Sequence, residues 1–130
     1  MLCFDTSFLV DYRHGEQYTA EFLKLQSARG ESFGIPSPVE YELFAGAAGG
    51  EHTSVEDVRK SIDWAETVPL DRAATVAAAE IKGVLQGRGE PIGGFDTLIA
   101  GVVQARSGTL VTSDGHFEAV PELSTIDPRE

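Results

Sequence analysis

PIGGFDTLIAGVVQARSGTLVTSDGHFEAV, residues 91–120, contains a complete helix–strand unit with an acid at each end of it. It holds a glycine turn, one amphipathic helix, one buried strand and an acid just beyond that strand. Asp96 follows Gly93 and Gly94 and stands where a helix N-cap belongs. Leu98, Ile99, Val102 and Val103 then recur at helical spacing. Gly108 stops the helix, Thr109–Thr112 reads as a short strand, and Asp114 occupies the turn made with Ser113 and Gly115. In a parallel α/β sheet, ligand sites form beyond the carboxyl ends of strands, beside the helix N-termini there. The segment thus puts one carboxylate at a helix start and another at a strand end, on one rim. Taken singly, each acid has an ordinary structural use, as a cap or a turn residue.

Working outward, the same alternation repeats. Met1–Phe4 is an apolar run that reads as a buried strand, ended by Asp5-Thr6-Ser7, with Phe8, Leu9 and Tyr12 suggesting a helix after it. Asp5 is again an acid at a strand end, and its simplest use is to cap that helix. Glu16–Ala28 is a helix with Tyr18, Phe22 and Leu25 on one face, stopped at Gly30. Ser32–Ile35 is a weak strand closed by Pro36, and Ser37-Pro38 open a helix. That helix carries Glu40 within its apolar arc and Glu42 at the border, and periodicity does not choose between them.

Gly49-Gly50 breaks the chain, and Thr53–Glu56 has the capping-box pattern. Val55, Val58 and Ile62 form the expected inner face of the next helix, and Trp64 closes it as packing. Thr67–Leu70 reads as a third strand, placed on a sheet edge by Pro69. Asp71 caps an Ala-rich helix over 72–86 whose expected inner face is Ala77, Ile81, Val84 and Leu85. Ser124–Ile126 is a short last strand, and the tail from Pro128 is expected to fray. Strands alternating with helices predict an α/β fold in one domain over 1–130, with a central, mainly parallel, roughly five-stranded sheet.

Composition narrows the function classes. At 130 residues the chain can bury a core without staples, and a single cysteine excludes an intramolecular disulfide. Cys3 lies in an apolar run and should behave as a small buried hydrophobe. No basic-then-apolar leader precedes the first strand and no apolar run approaches membrane-spanning length, so a cytoplasmic protein with no membrane partner is expected. The net charge of -11 opposes a phosphate backbone. Acids gathered around bound cations would be neutralised locally. Seven Arg and three Lys against thirteen Glu are also compatible with a high-salt cytoplasm, where long-range repulsion is screened.

Four acids then stand out: Asp5 after the first strand, a Glu on the helix after the second, Asp96 at a helix start and Asp114 after the fourth strand. Right-handed crossovers bring these positions toward one sheet edge. Carboxylates sharing one cleft repel unless protonated or metal-bound. Oxygen ligands suit Mg²⁺ or Mn²⁺ rather than zinc, and His14, His52 and His116 lack zinc-ligand spacing. Two such ions about 3.5–4 Å apart would suit phosphodiester hydrolysis.

MLCFDTSFLVD, YELFAG, GFDTLIAGVVQA and LVTSDGHF, in this order, resemble the PIN-domain ribonucleases, specifically the toxins of VapBC toxin–antitoxin pairs. The resemblance runs nearly end to end and includes VPLDRAATVAAAEIKGVLQGRG. It implies a three-layer α/β/α sandwich and Mg²⁺-dependent endoribonuclease activity, with Mn²⁺ able to substitute. It also implies an acidic quartet of Asp5, Glu42, Asp96 and Asp114, with Asp5, Asp96 and Asp114 as principal metal ligands. Glu42 is favoured over Glu40 because the family pattern matches Glu42-Leu43-Phe44-Ala45-Gly46. Ser7 and Thr112 match the hydroxyl residues that support the site. A homodimer, an RNA substrate and an antitoxin protein that silences the cleft are implied as partners. His116 stands where many members carry a further acid, which leaves a second metal less well held.

A metal-dependent binding or regulatory module without nuclease activity is the rival reading. Asp5-Thr6-Ser7 begins like the Asp-x-Ser-x-Ser loop of adhesion-type domains, but position 9 is Leu. Receiver-like and haloacid-dehalogenase-type phosphoacceptor sites want paired acids at the first strand end, and position 7 is Ser. Gly87–Gly94 follows a helix rather than a strand, which argues against a dinucleotide fingerprint.

Overall fold

The computed structural model of the chain describes residues 1–50 and 52–130. The elements run β1 (Leu2–Phe4), α1 (Thr6–Arg13), α2 (Gln17–Ala28), β2 (Phe33–Pro36), α3 (Ser37–Ala48), α4 (Val55–Ser61), β3 (Glu66–Val68), α5 (Arg72–Gly87), α6 (Gly94–Ala105), β4 (Thr109–Val111) and β5 (Ser124–Ile126). A 3₁₀ turn, Gly115–Ala119, links the last two strands. The five strands form one sheet in the order β3-β2-β1-β4-β5, every pair parallel. Helices on both faces complete a three-layer α/β/α sandwich.

Parallel strands buried on both faces need continuous apolar runs, and β1 supplies one: Leu2, Cys3 and Phe4 are all buried. Burial also lifts the Cys3 thiol to about 11, so it stays a neutral hydrophobe. Phe4 anchors an aromatic cluster, with ring centroids 4.7 Å from Phe8, 5.4 Å from Trp64 and 5.6 Å from Phe33. Trp64 packs there while its Nε1 donates to the Ser61 carbonyl at 3.0 Å. On the far side, α5 and α6 pack closely because Gly101 faces Ala74 and Ala78. A Cβ on Gly101 would lie 2.6 Å from both the Ala74 carbonyl oxygen and Ala78 Cβ.

β1 and β4 are neighbours, in register from Leu2↔Thr109 to Phe4↔Val111, while β2 and β3 lie on the other side of β1. The chain therefore reverses its direction of strand addition between β1 and β4. At such a switch point the loops leaving two adjacent strands part and open a crevice at their carboxyl ends.

Several sequence expectations shift. The third strand is Glu66–Val68, with Pro69 just beyond it on the sheet edge. Leu25, Val55 and Val84 are exposed. The inner face of α2 is Thr19, Phe22 and Gln26, and that of α5 is Ala74, Ala78, Ile81 and Leu85. The α4 cap is Ser54, whose Oγ accepts from the Asp57 N–H at 3.0 Å, one residue later than the Thr53 pattern implied. Beyond Pro128 the chain makes contacts that no local pattern marks. Arg129 donates to Asp11 Oδ2 at 2.9 Å and stacks over Tyr18, 4.8 Å from the ring centroid.

Candidate metal centre

Asp5 ends β1 and makes two hydrogen bonds inward. Its Oδ1 accepts from the Phe8 N–H at 3.0 Å, capping α1, and its Oδ2 accepts from Thr112 Oγ1 at 2.5 Å. Asp5 is thus both the helix cap and a floor of the crevice, and the two uses do not compete. Burial raises its carboxyl pKa above 3.8; the Thr112 and Phe8 donors oppose the rise, and the charges of Asp114 and Asp96 add to it.

Thr112 follows β4, and its hydroxyl also accepts from the Asp114 N–H at 3.0 Å. One buried side chain therefore ties the end of β1 to the turn after β4. Asp114 caps the 3₁₀ turn, its Oδ1 accepting from the His116 N–H at 2.9 Å. The His116 Nδ1 lies 3.3 Å from the same oxygen.

Asp96 is not the cap of α6. The helix begins at Gly94 with Gly93 as N-cap, which puts Asp96 in its first turn with no capping hydrogen bond. Two glycines in succession allowed the chain to turn into helix earlier than the acid suggested. Its carboxylate is free to line the crevice, at the positive end of the helix dipole. Burial raises its pKa, then Asp114 and Glu42, with His116 opposing.

Asp5, Glu42, Asp96 and Asp114 line one cleft of about 270 Å³, with Thr6 and Ser7 on its rim and Ile99 and Phe117 as its apolar wall. Glu42 reaches it from α3, held by a hydrogen bond from Thr6 Oγ1 to Oε1 at 2.8 Å. Glu40 does not reach it: Thr67 Oγ1 donates to its Oε2 at 3.1 Å, and partial burial there raises its pKa. Among the described residues no Lys or Arg lines the cleft.

Ligand atoms of Asp96, Asp114 and His116 lie within 4.8 Å of one another. The carboxylates are hard oxygen donors with no Lys or Arg among the cleft's lining residues to balance them, a set that fits a hard divalent cation. One participant was missed in the sequence: Thr6 had only its place beside Asp5 to mark it. His116 was noted there as standing in the place of an acid, not as a neighbour of Asp114.

A profile of the PIN domain matches residues 2–123. The chain belongs to the PIN-domain family. PIN domains are nucleases in general, and the cleft occupies the switch point of this PIN fold. VapBC2 from Rickettsia felis, bound to a promoter DNA fragment, is 24% identical with a TM-score of 0.85, covering 96% of each chain. DNA-bound VapBC from Salmonella typhimurium is 24% identical with a TM-score of 0.85, covering 98% of this chain and 97% of that one. VapBC-1 from nontypeable Haemophilus influenzae is 17% identical with a TM-score of 0.82, covering 99% and 98%. At these identities the likeness is one of fold. No curated protein matches the sequence significantly. No helix among the described residues is long and apolar enough to cross a membrane.

Proposed function

We propose that this PIN domain is a Mg²⁺-dependent endoribonuclease and the toxin of a VapBC-type pair. The convergence of Asp5, Glu42, Asp96 and Asp114 on one cleft lined by no Lys or Arg carries the reading. Asp5, Asp96 and Asp114 would hold the cation, with His116 as a nitrogen neighbour of Asp114 and Mn²⁺ an acceptable substitute. Bound there, a divalent cation supplies Lewis-acid polarisation of the phosphodiester and acidifies the attacking water.

The chain's own residues do the positioning. Thr112 fixes the Asp5 carboxylate and the Asp114 turn at once, which sets the separation of two ligands from different strands. Thr6 holds Glu42 at the mouth, where its carboxylate can orient the water and accept its proton. The solved VapBC complexes support a cognate antitoxin as partner, and the family resemblance supports a homodimer.

The test is internal cleavage of RNA by the purified protein in Mg²⁺ or Mn²⁺, halted by EDTA. Cleavage that persists in EDTA would sink the metal mechanism. Metal-dependent retention of a partner with no RNA product would favour a binding module instead.

A further inference from the structure

A second groove, of about 390 Å³, opens beside the acidic cleft, and Thr6 and Glu42 belong to both. The two spaces therefore meet across the Thr6–Glu42 hydrogen bond. Their chemistry differs. The cleft gathers four acids and no Lys or Arg, whereas the groove has Arg13, His14 and His52 around an apolar floor of Val10, Leu43 and Ala47. Two of the three histidines of a chain with net charge -11 thus stand in one place. Arg13 ends α1, and among the described residues it makes no ion pair, which leaves its guanidinium open to a ligand.

We propose that this groove is the subsite for the RNA strand flanking the scissile bond, with Arg13 donating to a phosphate and His14 and His52 supporting it. The proposal rests on the ribonuclease reading and names where that substrate lies. The cleft itself repels a polyanion everywhere except at a bound cation, so the strand needs cationic contacts on at least one side of the cut. The Arg13 guanidinium offers several N–H donors in a fixed fork suited to a phosphate. Imidazole presents an N–H donor whether charged or neutral. The apolar floor suits the sugar and base faces of an unpaired strand. Glu42 marks the boundary: phosphates lie beyond it in the groove, and the scissile one lies inside the acidic cleft.

Steady-state cleavage of a labelled single-stranded oligoribonucleotide in Mg²⁺ tests this. Arg13→Ala should raise KM about tenfold, the loss of one charge-assisted contact, with kcat within about twofold. The slope of log KM against log salt should become shallower by about 0.7, one phosphate's share for a single strand. Arg13→Lys should restore most of the affinity, and His52→Gln should raise KM less than Arg13→Ala does. Arg29→Ala, an equal change of net charge at the C-terminus of α2, is the control. An Arg13→Ala enzyme indistinguishable from Arg29→Ala overturns the subsite and leaves the groove to a protein partner. If the wild-type chain cuts no RNA, the nuclease reading fails on its own. Fluorescence anisotropy with the same oligonucleotide then decides the groove: weaker binding by Arg13→Ala than by Arg29→Ala upholds it, and equal binding overturns it.

Discussion

Thr112→Val is the most informative single change to this protein. Valine keeps the shape of the side chain and removes only the hydroxyl that donates to Asp5 Oδ2 and accepts from the Asp114 N–H. Asp114 is exposed, so water can replace the second bond at little cost. Asp5 is only 5% exposed, and its carboxylate keeps one donor, Phe8, where it had two. A charge-assisted bond to a buried carboxylate contributes about 1.5–3 kcal/mol, so the variant should lose about 2 kcal/mol near neutrality.

The pH dependence gives the sharper signature. Burial already places the folded pKa of Asp5 above its ordinary 3.8, and losing the Thr112 donor raises it further. A carboxyl held above its unfolded pKa contributes stability that is fully present below the unfolded value and lost as pH rises through the folded one. In acid, Asp5 is protonated in wild type and variant alike, and the two differ little. As pH rises the variant falls away, and the full deficit is reached once Asp5 is ionised in both. Urea unfolding in EDTA, at pH values on either side of the isoelectric point of 4.6, measures this. Thr112→Ser, which keeps the hydroxyl, should show a small deficit independent of pH. A Thr112→Val deficit equal at pH 3, below the ordinary carboxyl value of 3.8, and at pH 8, or none at pH 8, would refute the link between this hydroxyl and the Asp5 charge.

Asp96→Asn should be at least as stable as wild type in EDTA, because burial and its acidic neighbours already oppose its charge and it caps nothing. With Mg²⁺ at a hundred times its Kd the wild type should gain about 2.7 kcal/mol and the variant much less; equal gains in thermal melts would mean that Asp96 holds no cation. Glu42→Gln should lower the cleavage rate by about a hundredfold or more, while Glu40→Gln keeps most of it, and the reverse order would move the site by two residues along α3. Gly101→Ala should cost about 3 kcal/mol, because the added methyl meets backbone and side chain of α5 at 2.6 Å; a melting temperature within about 2 °C of wild type would show that α5 and α6 can part without penalty.

The central strand was legible because a strand buried on both faces is written as an unbroken apolar run, as Leu2–Phe4 shows. Each acid at a strand end could be placed on the rim before any contact was known. The boundaries and faces of the helices were not legible to the same degree. Gly93-Gly94 hid where α6 begins, and the cap moved from Thr53 to Ser54 because either hydroxyl fits the pattern. Val84 looks like a core residue, but Ala74 and Ala78 win the inner face of α5 where it packs closely on α6, and on α2 Gln26 turns inward in place of its neighbour Leu25. Glu40 and Glu42 could not be separated by periodicity, since the choice depends on what lies opposite each one. Thr67 on β3 faces the first and Thr6 on α1 the second, and both partners are distant in sequence. His116 was marked only as a missing acid, although its ring stands beside Asp114. The Arg129 contact with Asp11 joins the chain's last turn to its first helix and leaves no local signal.

The bond between Asp5 and Thr112 spans 107 positions of the chain, and this separation orders events during synthesis. A ribosome that has made a hundred residues has already incorporated Asp5, Glu42 and Asp96. The strand that must lie beside β1, and the hydroxyl that fixes its terminal acid, are still to come. Pairings between such distant segments form late and slowly, because a long loop must close before any contact rewards it. No nascent fragment shorter than β4 therefore carries the assembled cleft, and a chain that stops early presents acids without a site.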